Sequence, residues 1–195
     1  MWEDVKELAK SGKIMNNELY YCLFGDIDTE TIIPIIKLCN GDKKANTLHL
    51  YINSNGGSVT SAFALANFLT SLKNVSVITY NIGTCDSAAC IIFLAGNIRI
   101  CVPQATFYIH SPIVHIHTKQ NISTLSNALK NLINDTNLII NYFTSKTKLS
   151  KQCWKNKLSE SGCFISDRQS LAYGISTKIE NFQIKPTNNS INITE

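Results

Sequence analysis

The sequence predicts an α/β fold with parallel strand pairing, and three observations carry that expectation. A strand-like run, Thr47 to Ile52, is broken by Asn53-Ser54-Asn55-Gly56-Gly57-Ser58 and followed by the apolar helical stretch Val59 to Leu72. The same order returns in the strand Val75 to Ile82, the turn Gly83 to Asp86 and the short apolar helix Ser87 to Ala95. Two more strands, Ile98 to Val102 and Thr106 to His110, then follow. Strands alternating with helices pair in parallel, because each crossover returns the chain to the same end of the sheet.

The flanking elements read as follows. Trp2 to Lys10 predicts a first helix stopped by Ser11-Gly12, and Leu19 to Phe24 a buried aromatic strand ending at Gly25-Asp26. A helix capped by Asp28 or Thr29 should then bury Ile32, Ile33, Ile36 and Leu38, with Pro34 bending its first turns. From Ile122 to Phe143 apolar residues fall at helical spacing over a length that exceeds what a compact domain needs, so the surplus is available for assembly. Asp167 to Tyr173 predicts a last helix closed by Gly174, followed by a strand over Ile175 to Ile179. The expected organisation is an N-terminal segment over 1–18, one domain over 19–180 and a loose polar tail over 181–195.

With 195 residues, 44% hydrophobic and only 16% charged, the chain is too apolar for disorder and long enough for one self-sufficient core. The net charge of +4 is spread along the sequence, without the dense basic stripe of a nucleic-acid binder. Seven cysteines, an odd number with no CxxC, sit mostly in apolar runs and are expected as reduced thiols. Met1 to Lys13 lacks the apolar core of a secretory signal, and no stretch of about 20 apolar residues suits a membrane span. The expected compartment is the cytoplasm, with no membrane partner.

Three segments could carry chemistry. In Asn55-Gly56-Gly57-Ser58, between strand and helix, paired glycines can turn backbone N–H groups toward an oxyanion, although an ordinary turn has the same composition. Neither GxxxxGK[ST] nor GxGxxG occurs, so no nucleotide loop or cofactor site is expected. Ser87 stands at the start of the Ser87 to Ala95 helix with the Ala88 N–H behind it, as a nucleophile beside an oxyanion donor or as a plain N-cap. The spacing is not GxSxG, which argues against an α/β-hydrolase. His110 ends a strand and is a candidate base, with His49, His115 and His117 as competitors. His115 and His117 alternate as a strand would, but no Cys, Asp or Glu follows at a ligand spacing, so no metal site is expected.

Taken in order, Leu50 to Thr60, Gly83 to Ala89, Tyr108-Ile109-His110-Ser111-Pro112 and Ala172-Tyr173-Gly174-Ile175 resemble the successive signatures of the ClpP family of serine peptidases, from about Leu19 to Ile179. The resemblance implies a crotonase-like α/β spiral of ββα units with a protruding handle helix, and two stacked heptameric rings of this chain enclosing a chamber for unfolded polypeptides. It places Ser87 as nucleophile, His110 as general base, Gly57 and Ala88 as oxyanion donors, and Ser58 and Val59 against an extended peptide. The family's acidic residue falls on Gly162, which leaves Glu160 or Asp167, a water or a main-chain carbonyl to orient the histidine.

Further departures are Asp86 in place of a small neutral residue, Asn55 in place of a proline, and no glycines after Ser111-Pro112. The resemblance also implies a Clp ATPase as feeding partner, but the first eighteen residues do not match the axial loop. Two other readings stand beside the peptidase: a catalytically weak or inactive ring subunit with a structural or partner-binding role, and a crotonase-type enzyme of acyl-coenzyme A. Lys146, Lys148, Lys151, Lys155 and Lys157 could form a basic docking surface, or simply a solvated helix face.

Overall fold

The structure, a computed structural model, describes residues 12–41, 44–114, 121–159 and 162–181. The expected helix at Trp2 to Lys10, residues His115, His117 and Glu160, and nearly all of the 181–195 tail lie outside them. In chain order the elements are β1 (Lys13–Met15), β2 (Glu18–Phe24), α1 (Thr29–Gly41), β3 (Thr47–Ser54), α2 (Val59–Ser71), β4 (Ser76–Asp86), α3 (Ala89–Phe93) and β5 (Ile98–Cys101). There follow β6 (Thr106–Ile109), α4 (Ile122–Lys146), α5 (Lys151–Ser159), β7 (Cys163–Ser166), α6 (Asp167–Tyr173) and β8 (Lys178–Ile179). The eight strands form one mixed sheet. Strands β2, β3, β4, β5 and β8 are parallel, while β1 on β2 and β7 on β6 are antiparallel.

Alternation along the strands sorts the two faces of the sheet. Leu19, Tyr21 and Leu23 of β2 and Leu48, Leu50 and Ile52 of β3 point into the main core, against Ile32 and Ile35 of α1 and Ala62, Leu65 and Leu69 of α2. The opposite face carries a smaller cluster of Tyr20, Cys22, Tyr51, Tyr80 and Ile100. Over this face His49 stacks on Tyr20 at 4.6 Å, with its Nδ1 2.9 Å from the Tyr80 hydroxyl. In α1 the buried positions are Ile32 and Ile35, and Ile33 is exposed, contrary to the sequence reading. Asp28 accepts the Thr31 N–H at 2.8 Å and so caps the helix as expected.

The largest difference from the sequence reading concerns Gly83 to Asp86. These residues do not turn; they extend β4, which pairs with β5 over Ile78–Asn81 and then with β6 over Thr84–Asp86. The chain can switch partners there because Asn81, fully buried, donates its side-chain N–H to Thr106 O and accepts Gly83 N–H at its Oδ1. This switch carries β6 away from the main path of the sheet and lets β7 add to its outer edge. Helix α4 buries only its last turns, through Ile139, Ile140 and Phe143, with Phe143 edge-on to the buried Trp154 of α5. Its earlier turns leave Ile122, Leu125, Leu129 and Ile133 exposed.

Arg99 ties the end of α4 to the loop after α6. Its guanidinium donates to Ile175 O (2.6 Å), Gly174 O (3.0 Å), Gly96 O (3.2 Å) and Lys146 O (3.4 Å). Asp167 opens α6 and spends its carboxylate on two backbone donors, Gln104 N–H at 3.0 Å and Arg168 N–H at 2.6 Å, which hold its carboxyl below the usual range. None of the described residues forms a helix long and apolar enough to cross a membrane.

Two stability predictions follow from these anchors. Arg99→Met should lower the free energy of unfolding by about 2–3 kcal/mol, read from urea midpoints, because several inward-facing carbonyls lose a charged donor. Arg99→Lys should not restore it, since one ammonium cannot span the fork. The depressed carboxyl of Asp167 gives the folded state fewer bound protons than the unfolded one, so its stabilisation is present above about pH 4 and lost as acid protonates the folded group. Asp167→Asn should therefore lose less stability than the parent between pH 6 and pH 3.

Candidate active site

The site is built where the C-terminal ends of β3, β4 and β6 meet. Strand β3 is irregular at its end, with register shifting between Ile52 and Ser54. Buried Ser54 fastens the loop that follows: its Oγ donates to Gly25 O at 2.6 Å and accepts Gly56 N–H at 3.1 Å. Ile27 then bridges this loop as a short parallel pair, giving its N–H to Gly56 O (2.8 Å) and taking Ser58 N–H (2.7 Å). Alternation in a strand turns the intervening Gly57 N–H away from Ile27. Gly56, at φ 103°, packs directly on the next loop, where a methyl group would lie 2.7 Å from Ser87 Cβ and 3.1 Å from Ala88 N. Only glycine lets the Asn55–Ser58 loop close on Ser87 and Ala88.

Ser87 joins β4 to α3 in the left-handed region, at φ 51°, an uncommon conformation for a residue with a side chain. It is not the helix cap. Ala88 holds that position, and α3 has no side-chain capping bond. A serine that strains its backbone without capping has its hydroxyl available for something else. Cys85 and Cys90 flank it, but both are buried, Cys90 Sγ donates to Cys85 O, and burial pushes the Cys85 thiol well up. The oxygen nucleophile is thus the available one.

His110 follows the last residue of β6. The ladder pairs Asp86 with Tyr108, and Ser87 N–H donates to Tyr108 O at 2.7 Å. The parallel register places Ser87 beside Ile109, one residue short of His110, so the Ser87 and His110 backbones are neighbours across the ladder. Ser87 Oγ and His110 share no hydrogen bond in this conformation. His110 Nδ1 lies 2.7 Å from Ser111 O. A carbonyl oxygen can only accept, so Nδ1 carries the proton, and in the neutral ring Nε2 is the basic nitrogen. Ser111 is itself held, its Oγ donating to Leu158 O at the end of α5.

The two candidates for the acid fall differently. Strand β7 runs antiparallel to β6, with Cys163 opposite Ile109 and Ser166 opposite Thr106. Gly162 is therefore across from His110, whereas Asp167 begins beyond the other end of β6, roughly 15 Å away along the strand. Asp167 does not orient His110; distance and its bonds to Gln104 and Arg168 both preclude it. Glu160 lies outside the described residues.

The remaining sequence candidates are placed as follows. Asp86 turns from the loop and accepts Tyr108 N–H at 2.7 Å. Ser58 caps α2 by accepting Ser61 N–H, and with its own N–H on Ile27 O it has little left for a peptide. Val59 opens α2, and its first-turn N–H has no carbonyl partner within the helix. His49 is near the start of β3 on the other sheet face, remote from Ser87. Lys146 and Lys157 lie over the rings of Tyr142 and Tyr173, contacts that tie them to their own chain. Among the described residues no group of three or more His, Cys, Asp or Glu side chains could hold a metal ion.

Three residues beside the site were not singled out from sequence. Tyr108 stacks on His110, Phe164 packs on Tyr108, and the Ser111 carbonyl fixes the imidazole. The available signal for Tyr108 was its place two residues before His110, which puts both side chains on one face of β6.

The family model described as Clp protease matches residues 6–182. The ATP-dependent Clp protease proteolytic subunit of Oltmannsiellopsis viridis is 35% identical over 92 residues, which is 45% of this chain and 47% of the relative. A proteolytic subunit 1 of the same description from Rhodopirellula baltica is 29% identical over 101 residues, 51% of this chain and 42% of the relative. The longest of the three matches is to proteolytic subunit 2 of Treponema denticola, 25% identical over 171 residues, 80% of this chain and 79% of the relative. The chain thus spans about half the length of the first two relatives, and more of the third. A family match across most of the sequence, on an α/β framework that gathers the NGGS loop, Ser87 and His110 at one strand end, shows that the chain belongs to the Clp protease family.

Proposed function

We propose that this chain is a serine endopeptidase subunit, with 19–180 as its peptidase domain, cleaving unfolded polypeptides inside an oligomeric chamber in the cytoplasm. The observation that carries the reading is Ser87: backbone-strained, not used as a cap, packed against Gly56 and joined through Tyr108 to the strand that delivers His110. His110 Nε2 takes the Ser87 proton as Oγ attacks the peptide carbonyl. The Gly57 and Ala88 N–H groups receive the tetrahedral oxyanion, each worth about 3 kcal/mol in comparable sites. His110 then protonates the leaving amine, and a water, deprotonated by the same nitrogen, releases the acyl group. Ser87 and His110 come within hydrogen-bond reach by rotation of their side chains, a closure that substrate commonly completes. The Val59 N–H is available to an extended substrate backbone, and the reaction needs no cofactor.

A ring assembly of identical subunits is supported by α4, whose exposed Ile122, Leu125, Leu129 and Ile133 give it an apolar stripe suited to contact between rings. A Clp ATPase is the proposed feeding partner, and the ATP dependence in the relatives' names supports it.

A second reading, a ring subunit of weak or no activity, is favoured by two observations: Ser87 and His110 are not hydrogen-bonded, and glycine faces the histidine where a carboxylate would orient it.

A fluorophosphonate probe should label Ser87 in the assembled protein, as read by peptide mass spectrometry, and Ser87→Ala should abolish both labelling and peptidase activity. No labelling beside a reactive relative would favour the second reading. Ser87→Gly should lose activity while unfolding no more easily than the parent, because glycine relieves the left-handed backbone. Leu129→Glu combined with Ile133→Glu should shift the sedimentation of the assembly toward smaller species, whereas an unchanged profile would remove α4 from the ring contact.

A further inference from the structure

Gly162 and Tyr108 are two halves of one feature. Gly162 stands across from His110, at φ 99°, and a methyl group there would lie 2.6 Å from the Tyr108 hydroxyl oxygen and 2.7–2.8 Å from its ring carbons. The phenol ring thus occupies the space that any side chain at position 162 would enter. The same ring stacks on His110, with centroids 5.3 Å apart and planes 28° from parallel, and also packs against Phe164 at 4.5 Å. Its backbone is pinned on both polar atoms, the N–H on Asp86 Oδ1 and the carbonyl by Ser87 N–H.

Resting on the peptidase reading, we infer that Tyr108 is the positioning residue for His110, its ring holding the imidazole plane from the place a triad carboxylate would fill. Two restraints are needed to make a histidine a competent base: a defined tautomer and a defined ring plane. The Ser111 carbonyl supplies the first by accepting the Nδ1 proton. The Tyr108 face supplies the second, because an imidazole pressed on a ring anchored at both backbone atoms cannot tip about χ2 without losing the contact. Glycine at 162 is then a requirement of the arrangement, since a larger residue would expel the ring that does the positioning.

The test compares Tyr108→Phe, which keeps the ring, with Tyr108→Leu, which keeps apolar bulk but no flat face. Imidazole ¹⁵N spectra of the assembled protein in a Ser87→Ala background read the His110 tautomer without needing activity. In the parent and Tyr108→Phe, His110 should show a single Nδ1–H tautomer. In Tyr108→Leu the released ring should tip off the Ser111 carbonyl and show a mixture of tautomers, and with Ser87 intact kcat should fall roughly 10- to 100-fold at nearly unchanged KM, the scale of a displaced catalytic group. Thermal melting of all three variants identifies a simple folding defect, and a misfolded Leu variant is replaced by Tyr108→Met. An unchanged His110 spectrum in a folded non-aromatic variant overturns the inference. A Phe variant as defective as the Leu variant overturns it too, because the hydroxyl and not the ring would then be responsible. If Ser87 never reacts but the spectrum of Tyr108→Leu still changes, the peptidase reading fails while the positioning role of Tyr108 stands.

Discussion

The pairing of β4 with β6 at Asp86 and Tyr108 is the constraint on which the site depends. Two hydrogen bonds meet there, Tyr108 N–H on the Asp86 carboxylate and Ser87 N–H on Tyr108 O, and they continue the ladder from Thr84 and Cys85. Without this pairing Ser87 and His110, 23 positions apart in sequence, would have no reason to be neighbours. The switch that makes it possible is upstream, at Asn81, whose buried amide bridges β4 to β6 just after β5 gives way. A buried side-chain amide with donor and acceptor both used is a costly group to place, and here it decides which strand carries the histidine.

Asp86 illustrates how a residue unfavourable to the chemistry is made compatible with it. A carboxylate next to the nucleophile would oppose a forming oxyanion; at an effective dielectric near 20, like charges about 8 Å apart repel by about 2 kcal/mol, comparable to what one oxyanion donor contributes. The bond to Tyr108 N–H turns the charge toward the neighbouring strand and delocalises part of it onto a strong donor. The carboxylate therefore serves the architecture that presents His110.

Much of the fold was legible because its signals are local. The β3 strand, the NGGS break and α2 follow from an apolar alternating run, two glycines and a helix cap, and α6 from its Gly174 terminus at φ 75°. What escaped was non-local. Gly83 to Asp86 reads as a turn from composition, yet extends β4 because β6 arrives to pair with it. Cys163–Ser166 is too short to announce itself and becomes a strand only against β6. Ser87 and His110 could be singled out by their places at element ends, and the ordered family signatures united them. That Asp167 could not serve as the acid depended on the direction of β7, which no residue type encodes. The role of Tyr108 was hidden for a similar reason, since its partner Gly162 is 54 positions away.

For the proposed Ser87–His110 chemistry, a carbonyl rather than a carboxylate at Nδ1 has a definite consequence. A neutral acceptor fixes the Nδ1 proton as well as an acid does, so the ground-state base is correctly prepared. When Oγ is deprotonated, however, the imidazole becomes a cation, and a carbonyl dipole stabilises that charge less than an anion would. The difference appears only in the transition state and the tetrahedral intermediate, so it acts on kcat more than on KM. In that mechanism a ring held by Tyr108 lowers the reorganisation needed at that moment but does not supply the charge of an anion. In the proposed mechanism, chemistry at Ser87 relies most on the two backbone amides assigned to the oxyanion, and the close approach of Gly56 to Ser87 and Ala88 is the contact that such a reaction can least afford to lose.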